Sequence, residues 1–110
     1  MSPDTVIVLF VEGDTENEFY KALIQFLRSI NDDKFNCFIE YQVLKGIGNF
    51  CSKAERILKK DLMIRPKYRN LSFKVLLCYD TDVFERNENR MKINWHAVEK
   101  TMHKIGVSNV

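Results

Sequence analysis

Apolar residues fall along this chain in two kinds of pattern. Residues 6–11 (VIVLFV) and 73–79 (FKVLLCY) are continuous or nearly continuous apolar runs. In a strand, that means cover on both faces, as in a parallel sheet. Cys37, Ile39, Tyr41 and Val43 alternate with Phe38, Glu40 and Gln42, which predicts a less covered strand at a sheet edge. Between these runs the period becomes helical. Phe19, Leu23, Phe26, Leu27 and Ile30 recur on one side of a helix, with Thr15 and Glu18 as its capping box and an end near Asn31. Phe50, Ala54, Ile57, Leu58 and Leu62 predict a second helix, capped by Asn49 or by Ser52 in register with Glu55. Pro66 marks the loop beyond it. Ile93 and Val98 bracket Asn94 as a hydrophobic staple around an N-cap, and Ala97, Val98, Met102 and Ile105 lead to Gly106 at a C′ position. Residues 80–92 carry no regular period and read as a loop.

The order is β-α-β-α-β-α, followed by VSNV, which resembles the first residues of a fourth strand. Such alternation predicts an α/β fold: a parallel sheet with right-handed crossovers, flanked by helices. The 110 residues suffice for one domain, 1–110, with a real core. Its abrupt end means either a fragment truncated at the start of the fourth strand or a very short last strand. Seventeen basic against fifteen acidic residues leave a formal charge of +2, too small to name a partner. Cys37, Cys51 and Cys78 form no CxxC pair, and no basic leader precedes the first apolar run. A reducing, cytoplasmic location without membrane attachment is the expectation.

Chemistry enters at the ends of the two buried strands. The first runs into Glu12-Gly13, with Asp14 and Glu16 close behind; the third runs into Asp80-Thr81-Asp82. Parallel strands end at one edge, and open α/β sheets bind ligands at that carboxyl edge. If strands one and three are neighbours, about 4.8 Å separates them. Their carboxylates would then share a cation, and without one they repel. Oxygen ligands alone favour Mg²⁺, Mn²⁺ or Ca²⁺ over zinc. Each tip taken alone is equally compatible with a capped turn.

The stretch VIVLFVEGDTENEFYKALIQFL resembles the opening of a TOPRIM domain, and KVLLCYDTDVF resembles that family's Asp-x-Asp motif. The EG-x-TE form is similar to the overcoming-lysogenization-defect type nucleases and related bacterial phage-defence proteins. LKGIGNF resembles the glycine turn after their second strand. The resemblance implies a Rossmann-like three-layer core of about four strands in order 2-1-3-4. It further implies Mg²⁺- or Mn²⁺-dependent hydrolysis of phosphodiesters in DNA or RNA, in phage defence or DNA repair. By the same resemblance Glu12 is a metal ligand or general acid–base, and Asp80 and Asp82 are metal ligands. Glu16 belongs to a second metal site, and an ATPase subunit or domain encoded elsewhere is a partner. Further acids of that branch lie beyond the fourth strand.

Arg86, Arg90 and Lys92 follow the Asp-x-Asp tip and could neutralise phosphates there. The basic run RPKYR at 65–69 leads into strand three from its other end. His96 and His103 are expected on helix surfaces, and Tyr20 and Trp95 in packing. Two readings from other classes remain open. A receiver-like module would use Asp80 as phosphoacceptor, with a Lys after a fifth strand. A TOPRIM interaction domain would keep the fold without the chemistry. A P-loop is excluded, because no GK[ST] occurs.

Overall fold

A computed structural model of the chain describes residues 4–30, 37–45, 50–78 and 94–109. β1, Thr5–Val11, is the central strand of a three-stranded parallel sheet in the order β2-β1-β3. β2, Phe38–Val43, lies at one edge, as its pattern predicts, but is half-buried throughout and not alternately covered and exposed. β3, Ser72–Cys78, runs beside β1 from Thr5↔Ser72 to Val11↔Cys78. The connection from β1 to β2 carries α1, Asp14–Ile30; the return to β3 carries α2, Phe50–Ile57. The two connections move in opposite directions across the sheet, so crossovers of one hand put their helices on opposite faces.

The main core lies on the α2 face. Val6, Val8 and Phe10 point to it from β1, and Phe73 from β3. Phe50, Ala54 and Leu58 meet them from above, together with Val98 and Met102 of α3, Trp95–Ile105. Phe10 and Phe50 pack edge to face with centroids 5.5 Å apart. After Ile57 the helix widens into a π-turn, Leu58–Leu62, closed by Met63 N–H donating to the Leu58 carbonyl at 2.8 Å. The wider turn brings Leu62 round above Leu58, and both are fully buried. Helix α2 starts at Phe50, so Ser52 is an interior residue and not its cap.

Tyr68, in a 3₁₀ turn at Pro66–Tyr68, is the largest fully buried side chain. Its ring lies edge-on between Phe38 and Phe73, and its hydroxyl donates to Glu40 Oε2 at 2.7 Å. Arg65 donates to the other oxygen of Glu40 at 2.9 Å and also binds Asp61. The glutamate that marks β2 as an edge strand therefore anchors the segment leading into β3. Burial, then the hydrogen bond to Glu40 and its charge, push the Tyr68 phenol up to about 12. A pKa raised above the unfolded value of about 10 means that this contribution to stability is complete below about pH 10. It is lost as pH rises toward about 12, because only the unfolded chain ionises readily there. Denaturant titrations across that window are expected to show an alkaline fall in stability. Tyr68→Phe should cost about 1–2 kcal/mol at neutral pH by leaving Glu40 short of a donor, and should remove the tyrosine part of the alkaline fall. An unchanged alkaline limb would contradict this assignment.

The opposite face is thinly covered. α1 turns Asn17, Tyr20, Lys21, Ile24, Leu27 and Arg28 toward the sheet. The Lys21 ammonium stands 5.7 Å from the centroid of the Tyr41 ring, and Arg28 donates to the Cys37 carbonyl at 2.7 Å. Phe19, Leu23, Phe26 and Ile30, expected in the core, are instead exposed, three of them by about 60%. They lie roughly a third of a turn from the arc that meets the sheet. Among the described residues a single helix lies over this face; it covers β1 and β2 and leaves Leu76 of β3 half-exposed. The cap also differs from the expected one. Asn17 N–H bonds the Gly13 carbonyl at 3.1 Å, so the helix starts at Asp14 and Thr15 lies inside it.

Helix α3 has the expected ends. Asn94 Oδ1 accepts from Ala97 N–H at 3.1 Å, and Gly106 adopts φ 99°. Val107 N–H reaches back to the Met102 carbonyl, closing a Schellman motif whose two side chains are both buried. The chain then meets β3. Val107 forms a parallel bridge with Phe73, and Ser108 N–H donates to the Phe73 carbonyl at 2.7 Å. Asn109 follows with its side chain: Nδ2 donates to the Val75 carbonyl at 2.8 Å, and Oδ1 accepts from Val75 N–H at 3.0 Å. The carboxamide thus stands in for a peptide group of a neighbouring strand. Among the described residues no helix is long and apolar enough to cross a membrane.

Candidate functional site

Register settles whether the two strand tips meet. Val11 and Cys78 are paired, and both are the last residues of their strands. Glu12 is the next residue after Val11, half-buried in the bend before α1. Asp80 and Asp82 follow Cys78 by two and four residues and lie outside the described residues, as do Arg86, Arg90 and Lys92. The edge where β1 and β3 end is the switch point of the sheet, where one connection leaves toward each face.

Helix α1 brings more groups to this edge. A Cβ placed on Gly13 would stand 3.1 Å from Glu16 Oε2, tighter than an ordinary contact. Glycine at 13 thus lets the Glu16 carboxylate fold back over the backbone next to Glu12. One residue on, Asn17 is buried, and its Oδ1 has no hydrogen-bond partner among the described residues. A buried amide oxygen left unpaired costs about 1–3 kcal/mol, so a native one requires an explanation. Sequence reading missed Asn17, because a polar residue in a first helical turn looks like a solvated one. The only available signal was its position one turn after Gly13, on the side of α1 that carries Tyr20 and Ile24.

Tyr20 lies against Cys78 and has its pKa raised, first by the charge of the Cys78 thiolate, then by burial, the Cys78 hydrogen bond and Glu16. Burial pushes the Cys78 thiol up, partly offset by the hydrogen bond from Tyr20. Both groups therefore stay protonated at neutral pH. Tyr20, expected only to pack, stands beside Cys78 at the end of β3.

The oxygen donors present suit a hard cation. Glu12 and Glu16 are carboxylates, and the orphaned Asn17 oxygen is a neutral ligand of the same class. Among the described residues there is no group of three or more His, Cys, Asp or Glu side chains that could hold a metal. His96 and His103 are exposed on α3, as expected, beside Glu99 and Lys100. Trp95 is partly exposed and lines an apolar hollow with Phe50, Val75, Leu77, Val98 and Met102.

Positive charge is unevenly placed. Residues 45–69 hold eight Lys or Arg and two Asp or Glu, a formal +6; the rest of the chain carries −4. On α2 and its π-turn, Arg56, Lys59 and Lys60 are exposed and line a shallow concavity with Ser52 and Glu55. None of the three makes an ion pair among the described residues. No protein-family model, no curated protein and no solved structure matches the chain.

Proposed function

We propose that the chain is a TOPRIM-like domain that hydrolyses phosphodiester bonds in DNA or RNA with Mg²⁺ or Mn²⁺, in phage defence or DNA repair. One observation carries this reading: the paired ends of β1 and β3, Val11 and Cys78, from which Glu12 and the Asp80-x-Asp82 motif follow directly. The orphaned Asn17 oxygen and the Glu16 carboxylate folded over Gly13 add oxygen donors at the same edge. The sheet of this proposal has a fourth strand beside β3, in the order 2-1-3-4. The parallel bridge between Val107 and Phe73 supports it.

A divalent ion at this edge would neutralise phosphate charge and activate a water. Glu12, Asp80 and Asp82 would hold it, with Glu16 serving an auxiliary position. Glu12 would also take or return a proton at the attacking oxygen. Tyr20, beside Cys78 at the end of β3, would help keep α1 and its Glu16 in place. An ATPase encoded elsewhere is the proposed partner, and the cytoplasm the proposed location.

Two measurements test the reading together. Plasmid nicking is expected with Mn²⁺ and not with chelator. Calorimetric titration with Mn²⁺ should give binding that Asp80→Asn weakens about tenfold or more, roughly 1.4 kcal/mol. Cleavage that survives chelation would refute metal dependence, and equal Mn²⁺ affinities would remove Asp80 from the site.

A further inference from the structure

We infer that the outward face of α2 and its π-turn, formed by Arg56, Lys59 and Lys60, is a track for the phosphate backbone of the nucleic acid; this rests on the function proposed above. The inward residues Phe50, Ala54, Ile57, Leu58 and Leu62 pack into the core, which fixes the rotation of the helix. The basic residues are therefore held outward on a rigid element and do not depend on a loop for their position. A solvated helix face normally mixes signs. Here three exposed cations, with no ion-pair partner among the described residues, line one concavity beside a single carboxylate, Glu55, within a stretch of formal +6 in a chain of +2.

Topology gives the track a direction. β2 ends at Val43, paired with Val11, and Leu44 N–H bonds the Val11 carbonyl at 2.8 Å. Lys53 Nζ donates to the Leu44 carbonyl at 3.3 Å, tying the first turn of α2 to the carboxyl edge of the sheet. From there α2 runs back toward the start of β3. From Arg56 to Lys60 is about 6 Å at 1.5 Å per residue. That is close to the two steps of about 3.4 Å that separate three successive phosphates of one strand. A backbone lying on this face has one end at the edge that carries Glu12. An anionic membrane fits less well, since a surface-binding helix sets large apolar side chains beside its basic ones, and residues 50–62 expose none.

The test is binding of a short labelled duplex, followed by fluorescence anisotropy in chelator, so that no cleavage occurs, between about 50 and 200 mM salt. Neutralising three phosphate contacts should flatten the slope of log K against log salt by about 2.7, at about 0.9 per contact. Arg56→Gln/Lys59→Gln/Lys60→Gln is expected to show that change and weaker binding. Lys100→Gln/Lys104→Gln, on the exposed face of α3, should leave the slope unchanged. If the triple variant unfolds, Lys59→Gln and Lys60→Gln singly should each flatten the slope by about 0.9. An unchanged slope, no duplex binding by the wild type, or binding only to phosphatidylserine vesicles would each overturn the proposal. The two readings fail separately. A patch-dependent slope without any cleavage sinks the hydrolase and keeps the track; cleavage with an unchanged slope does the reverse.

Discussion

Glu12→Gln is expected to lower metal-dependent cleavage by about 100-fold or more, the scale of a lost general acid–base group, while shifting the thermal midpoint by less than about 4 °C. Glutamine keeps the shape of the side chain but loses its charge and its capacity to carry a proton. The backbone around it is fixed by other contacts: Val11 is fully buried and paired on both sides, and Asn17 N–H closes the first helical turn on Gly13. On the proposed reading the substitution therefore removes the chemistry, while these contacts hold the backbone. Glu16→Gln should be milder, since its carboxylate reaches the edge from the helix and not from a strand end. Nicking assays on both variants in Mn²⁺, beside unfolding curves, decide the matter. If Glu12→Gln cuts at the wild-type rate, the acid at the end of β1 is only a strand terminus, and the hydrolase reading falls.

The second large effect concerns stability. Leu58→Ala should cost about 2–5 kcal/mol, and Phe26→Ala, which removes a larger side chain, less than about 1 kcal/mol. Leu58 has no exposed surface and opens the π-turn that also seats Leu62. Truncating it leaves a void between Ala54 and the sheet that rigid neighbours fill poorly. Phe26 is 59% exposed on the outer side of α1. Denaturant midpoints of the two variants give the comparison directly. A larger loss for Phe26→Ala would mean that the outer side of α1 is covered in solution.

That pair of residues also shows where the sequence is readable and where it is not. Hydrophobic periodicity identifies both as apolar positions of amphipathic helices, and both helices form. It cannot report which part of a wide apolar arc meets the sheet, because that depends on how many strands lie beneath. With three strands and one helix on that face among the described residues, none of these packs beneath the Phe19–Ile30 side of α1. β1 was legible because a continuous apolar run fits a strand covered on both faces. The similar run in β3 marks a strand correctly but not its cover, since β3 lies at an edge of the described sheet with Lys74 and Leu76 exposed. Asn94 and Gly106 were legible because caps depend on local geometry. The π-turn and the Tyr68–Glu40 bond were not, since each is set by a partner distant in sequence. At the site, Glu12 and Glu16 could be assigned to one edge from strand and helix order alone. The place of Tyr20 beside Cys78 required the register of β3. The basic side of α2 was hidden because Arg56, Lys59 and Lys60 alternate in sequence with core residues and separate from them only around the helix axis.

Asn109 has a consequence for the protein in concentrated solution. An exposed strand edge invites backbone pairing with a second molecule, and natural sheets usually deter it with charge, proline or a bulge. On β3, the N–H and C=O of Val75 are both occupied by one carboxamide, and the Phe73 carbonyl is held by Ser108. A foreign strand approaching this edge finds its first docking points already taken. Lys74 stands exposed between them, and its ammonium would have to be displaced or buried as the newcomer settled. Edge-to-edge polymerisation is thereby hindered at the outset, by a neutral side chain that copies the peptide bond it keeps out.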